Sequence, residues 1–159
     1  MTTFTYGENV TDAIKDTVSC ALGAAASSGI GQNDVGKAYK LGTANNYVPC
    51  ADGDPIEAFL AAVEPFTVNN LFSFGSVQRR GRKIVQNGAG QAQLAVGDFV
   101  VAFTQVAIGT AGLPQVKKAT ATAATDDAGL TNAGLYAWRV IRIVSGTGVA
   151  GDQVLVERV

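Results

Sequence analysis

The residues able to do chemistry are few, and each sits where a turn explains it as well as a reaction does. Carboxylates pair at Asp52/Asp54 and at Asp126/Asp127. Two acids across a cleft can hydrolyse a glycoside, but both pairs lie in turn sequences, where aspartate hydrogen-bonds the local backbone. Asp52-Gly53-Asp54 begins like a calcium loop, yet Ile56 stands where another oxygen ligand belongs. Gly146-Thr147-Gly148-Val149-Ala150-Gly151 has GxGxxG spacing. That motif holds a dinucleotide only when a helix follows and its N-terminus meets the pyrophosphate. Here the strand-like segment 153–159 follows, so the motif reads as a glycine-rich hairpin loop. Cys20 and Cys50 are the only thiols and form no CxxC pair; reduced, buried side chains are favoured over a bridge. The chain has no histidine, which removes Ser-His-Asp and Cys-His nucleophiles and histidine-ligated zinc. No enzyme, no cofactor and no metal site is expected.

The one charge cluster is Arg79-Arg80-Gly81-Arg82-Lys83. It suits phosphates or an acidic protein surface; the plainer alternative is a solvated hairpin whose arginines pair with nearby acids. The 12 Lys and Arg are balanced by 13 Asp and Glu, and no aromatic residues interleave with the cluster. A nucleic acid is therefore not an expected partner. Trp138 and the tyrosines read as core or interface residues rather than as a sugar-stacking platform.

The elements that must position these residues read as short strands between turns. The 159 residues suffice for one domain with an arm. Apolar runs at 37–41, 47–51, 73–77, 82–86, 99–108, 135–144 and 153–159 are separated by Gly, Asn, Asp and Pro clusters. Gly97-Asp98 and Gly151-Asp152 mark turns before two of them. The spacing predicts an all-β fold, a small β-barrel or sandwich with an extended N-terminal arm and long loops. Segment 56–63 fits either a short helix capped by Asp54, Pro55 and Glu57 or a strand, with strand favoured by its neighbours. Residues 1–34 differ in character and are expected as an arm, ordered by a partner, ahead of a β-rich domain over 35–159. Val10, Ile14, Val18 and Leu22 fall at helical spacing there, but a Gly-Ala-Ser run follows at 23–31. Segment 119–124 reads as a small-residue strand or an exposed loop.

Two strand segments look apolar on both faces. In 99–108, Phe99, Val101 and Phe103 alternate with Val100, Ala102 and Val106; 135–144 is similar around Trp138 and Ile141. Helices to cover both faces are lacking, so a second polypeptide is the favoured cover, at a standard interface of about 800 Å² per partner. The competing cover is the chain's own loops or arm. A charged fraction of 16% against roughly 25% in average domains points the same way as the first. No cation precedes Lys15, unlike a signal peptide, and Gly and Pro interrupt the uncharged run 99–116, so neither secretion nor a membrane span is expected.

Several stretches resemble a known family. Val35-Gly36-Lys37-Ala38 through Tyr47-Val48-Pro49-Cys50-Ala51-Asp52-Gly53-Asp54-Pro55-Ile56-Glu57-Ala58-Phe59 is similar to the head decoration, or cement, proteins of tailed bacteriophages. Phe74 to Arg82, Val96-Gly97-Asp98-Phe99-Val100-Val101 and Gly151-Asp152-Gln153-Val154 look alike in the same way. The resemblance implies a β-rich, non-enzymatic structural protein, made in the host cytoplasm and carried on the capsid exterior of the virion. It would bind the major capsid protein and its own copies, as a dimer or trimer, and stiffen the lattice. Phe4 and Tyr6 are expected as anchors in the arm, and Arg79, Arg80 and Arg82 as polar contacts. The alternative is a carbohydrate- or cell-surface-binding β-module of a phage tail or spike, which needs an exposed aromatic platform around Trp138.

Overall fold

The computed structural model describes residues 17–22, 30, 34–43, 46–63, 73–103, 113–120 and 137–159, with the side chains of 17–21 and 73–74 left aside. Among these residues ten strands follow in order: β1 (Thr17–Leu22), β2 (Ala38–Leu41), β3 (Tyr47–Pro49), β4 (Ala58–Val63), β5 (Ser73–Gln78), β6 (Arg82–Asn87), β7 (Val100–Ala102), β8 (Gln115–Lys118), β9 (Trp138–Ile143) and β10 (Gln153–Arg158). The protein is all-β, built as two packed sheets, the first of which closes on itself through β1.

The first sheet has the order β1-β3-β2-β4-β5, and β1 also pairs antiparallel with β5 along its length. The ring is completed by one parallel register pair, Leu22 with Tyr47. Leu22, Tyr39, Tyr47, Ala58, Leu60, Val63 and Val77 fill its interior. The second sheet has the order β7-β8-β6-β10-β9, and an isolated bridge between Phe99 and Arg139 links its two ends.

Alternation along β2 and β4 explains how the sheets meet. Tyr39, Ala58 and Leu60 point into the ring, whereas Ala38 and Phe59 point out of it and join the second core. That core gathers Val85, Val100, Val116, Trp138, Val140, Val154 and Val156 around Phe59. Phe59 meets Trp138 edge-on, with ring centroids 4.8 Å apart and planes at 75°. Such a pair contributes about 0.5–1.5 kcal/mol beyond the area it buries.

Two expectations are revised, and one open alternative is settled in favour of the strand. β1 lies in the first sheet, so residues 17–22 belong to the domain and not to a free arm, and Val18 and Leu22 follow a strand rather than a helical stripe. Residues 1–16 fall outside the described residues. Segment 56–63 resolves as a strand from Ala58 onward. The second revision concerns the two-faced strands. All of β7 is buried within the single chain, and its free edge is paired as well: Pro55 bridges Val101, Gly53 N–H donates to Ala102 O at 2.8 Å, and Ala102 N–H donates to Asp54 O at 3.0 Å; residues 104–108 lie outside the described residues. In β9 the register with β10 slips, so that Leu155 faces Arg142 and Val156 faces Val140. Ile141 is the extra residue of a bulge, which turns Arg139 and Arg142 to the same exposed side. That side is rich in arginine, not uniformly apolar.

Candidate interaction site

The β5–β6 connection carries the chain from the first sheet to the second and bears the predicted basic cluster. Gln78 Nε2 donates to Arg80 O at 2.9 Å and to Arg82 O at 3.3 Å, bracing the turn from within. Gly81 takes φ 84°, a left-handed conformation that side-chain-bearing residues adopt at a cost. Arg79 and Arg80 are therefore presented outward, both exposed.

Strand alternation then separates Arg82 from Lys83. Arg82 stands on the outer face of the second sheet, opposite Glu157, with Nε 3.0 Å from Glu157 Oε1. An exposed pair of this kind contributes about 0–1 kcal/mol. Lys83 turns inward opposite Val156, and its ammonium lies 6.0 Å from the centroid of the Phe59 ring. Burial there pushes the Lys83 pKa down. No carboxylate lies within ion-pair distance of it among the described residues.

Arg158, on the same inward row of β10, completes the cluster. Its amide donates to Gly81 O at 3.2 Å, and its Nη1 donates to the Glu57 carbonyl of the first sheet. Burial lowers its pKa, and the neighbouring Arg79 and Arg80 charges lower it further against the opposing influence of Glu57 and Tyr47. The seam between the sheets thus places Lys83 and Arg158 on one inward row, with Arg79 and Arg80 in the adjoining turn and Glu57 the acid whose charge acts on Arg158.

Of the predicted contact residues, the structure brings Arg79 and Arg80 together at this seam and sends Arg82 to another face. Phe4 and Tyr6 lie outside the described residues. Arg158 and the inward turn of Lys83 were missed by sequence reasoning. The alternation Val154, Val156, Arg158 was the available signal, because it places the arginine on the core-facing row.

The outer face of the second sheet adds a second feature. Its cross-strand rows run Arg82–Glu157–Arg139 and Ile84–Leu155–Arg142. Ile84 is 39% exposed, and Arg139 and Arg142 are exposed without an ion pair among the described residues.

The other chemical candidates are occupied by their own chain. Asp52 holds Lys117 at 2.7 Å; Asp54 holds Lys40 at 2.7 Å and accepts the Ala51 amide at 2.6 Å. Two lysines thus stand where a calcium ion would need free carboxylates. The glycine-rich loop joins β9 to β10, and Asp152 Oδ2 accepts the amides of Thr147, Gly148 and Val149 at 2.8, 2.9 and 3.1 Å. Asp126 and Asp127 lie outside the described residues. Cys50 is a free buried thiol whose Sγ lies 3.7 Å from Pro55 O, and burial, reinforced by Asp54, pushes its pKa up to about 12. At neutral pH it is no nucleophile. Trp138 is fully buried, so the platform required of a carbohydrate-binding module is not formed by this residue. Among the described residues, no cluster of metal-ligating side chains and no helix able to cross a membrane occurs. No protein-family profile, no curated protein and no solved structure matches the chain.

Proposed function

We propose that this chain is a non-enzymatic structural protein of a phage head, docking on the outer surface of the capsid and stiffening it through contacts to the major capsid protein and to its own copies. The observation that carries this reading is the outer face of the second sheet, where Ile84 and Leu155 lie among arginines and, among the described residues, only Arg82 has a carboxylate partner. An apolar centre with unmatched charges at its margin is the composition of a protein-binding surface, in which arginine is enriched. The sequence resemblance to decoration proteins supplies the lattice as the partner.

The test is reattachment. Particles stripped of the protein and re-incubated with purified chain should regain density at fixed lattice positions. Ile84→Asp with Arg142→Glu should abolish that density while the soluble protein keeps its thermal transition. Full occupancy by the double variant overturns the reading. In the same assay Phe4→Ala with Tyr6→Ala tests the arm as an anchor; unchanged occupancy removes that role. Sedimentation of the free protein distinguishes monomer, dimer and trimer.

A further inference from the structure

The seam between the sheets poses a problem that the outer face does not solve. Lys83 and Arg158 are partly withdrawn from water, and withdrawing a cation without a counter-charge is costly. The Phe59 ring offers the Lys83 ammonium a cation–π contact, but its three donors find no hydrogen-bond partner among the described residues. Arg158 spends one donor on the Glu57 carbonyl. Arg79 and Arg80 stand exposed in the turn beside Gly81, whose carbonyl accepts the Arg158 amide, and their charges act on Arg158. Two inward cations and two in the adjoining turn thus share this end of the seam, where Glu57 is the acid that acts on Arg158, in a chain whose overall net charge is −1.

We propose that this seam is a receptor for carboxylates presented by an acidic polypeptide segment, with Lys83 and Arg158 taking the inner carboxylate and Arg79 and Arg80 the flanking ones. The assignment names the partner chemistry for the docking reading above and rests on it. Peptide carboxylates fit better than a nucleic acid for two reasons. The chain lacks the general basic excess that draws a polyanion. The aromatic rings around the seam, Tyr47, Phe59 and Trp138, are all buried and present no stacking surface to a base. Guanidinium forks at Arg79 and Arg80 match carboxylates two oxygens at a time.

The protein carries its own reporter. Trp138 is the sole tryptophan, it touches Phe59, and its backbone is in register with Arg158. Titration of the full chain with a glutamate oligopeptide at low salt should change Trp138 fluorescence saturably, and added salt should reverse the change. Arg79→Ala with Arg80→Ala should weaken binding about tenfold, the combined worth of two exposed charge contacts. Lys83→Met, which keeps the aliphatic cover over Phe59, should abolish it, and Lys83→Arg should restore most of it. A monitored thermal transition certifies the fold of each variant, and the exposed arginine pair provides a test free of the core. Absence of a saturable change, or wild-type affinity in both Lys83→Met and the arginine double variant, overturns the proposal. So does a thymidine oligonucleotide or inorganic phosphate binding as tightly as the peptide. The assay needs no capsid: peptide binding by a chain that ignores shells would defeat the docking reading alone, and shell attachment that survives Lys83→Met would defeat this inference alone.

Discussion

The glycine-rich loop at 144–152 and the cationic seam at 78–83 both look, in one dimension, like places made for an anion. In space they differ. The loop points three backbone amides at a single oxygen, and that oxygen belongs to Asp152, three to five residues along the chain. Buried Asn87 ties the same loop to the core, donating to Gly148 O and Ala92 O at 2.9 Å each. The seam gathers cations from strands far apart in sequence, and among the described residues the acid that acts on them is Glu57, on Arg158 alone. An anion receptor that supplies its own anion is scaffolding; one that leaves its charges unmatched invites a partner.

The sharpest way to break this contrast is to disturb the loop. A Cβ at Gly148 would stand 2.1 Å from the Leu94 carbonyl, on a residue at φ 89°. Gly148→Ala should therefore cost roughly 3 kcal/mol in thermal or denaturant unfolding. Asp152→Ala, which strands three amides in a largely hydrated loop, should cost about 1–3 kcal/mol by the same measurement. The seam should behave oppositely. Lys83→Met should leave the isolated protein as stable as before, or stabilise it by up to about 1 kcal/mol, because it removes a desolvated charge without a counter-ion. A loss comparable to that of Asp152→Ala would mean that the seam, too, is internally satisfied.

Alkaline titration refines the comparison further. The folded Lys83 pKa lies below its ordinary value of 10.5, so between the two the unfolded chain binds more protons and this residue's contribution to stability rises with pH. Cys50 works in the other direction. Its folded pKa of about 12 lies above the ordinary 9.0, so stability falls as pH climbs through that window. Unfolding measured against pH should flatten on its falling side in Cys50→Ala and lose its rising component in Lys83→Met. The smallest effect belongs to Arg82→Ala, whose exposed pair with Glu157 should be worth no more than about 0.5 kcal/mol.

What could be read in the sequence was local. Turn chemistry marked Asp52-Gly53-Asp54-Pro55, Gly97-Asp98 and Gly151-Asp152, and most strands fall within the apolar runs between such turns. The same chemistry identified 146–151 as a hairpin loop, because no helix could follow it. What escaped depends on pairing at long range. β8 was missed because Gln115 and the two lysines give it no apolar run; its place follows from pairing with β6 and β7. β1 was hidden behind a helical spacing that pairing with β5 overrides. The bulge at Ile141 reverses the face of half a strand, so a strict two-residue period misjudged what β9 shows to water. At the seam, the run of cations was visible, but which of them turn inward depends on β6 meeting β10, some seventy residues later.

The sheet order has a consequence for how the molecule comes into being. The first sheet uses strands drawn from residues 17–78, and all of it can pair as soon as that length of chain is free. The second cannot: β6 and β9 are joined through β10, at 153–158, the latest in sequence of the described strands. Until then β9, which carries Trp138, is held in the second sheet by its bridge to Phe99 alone, and one edge of β6 stays open to any passing strand. Nascent chains stalled before residue 153 should bind chaperones through the second sheet while the first is already protease-resistant.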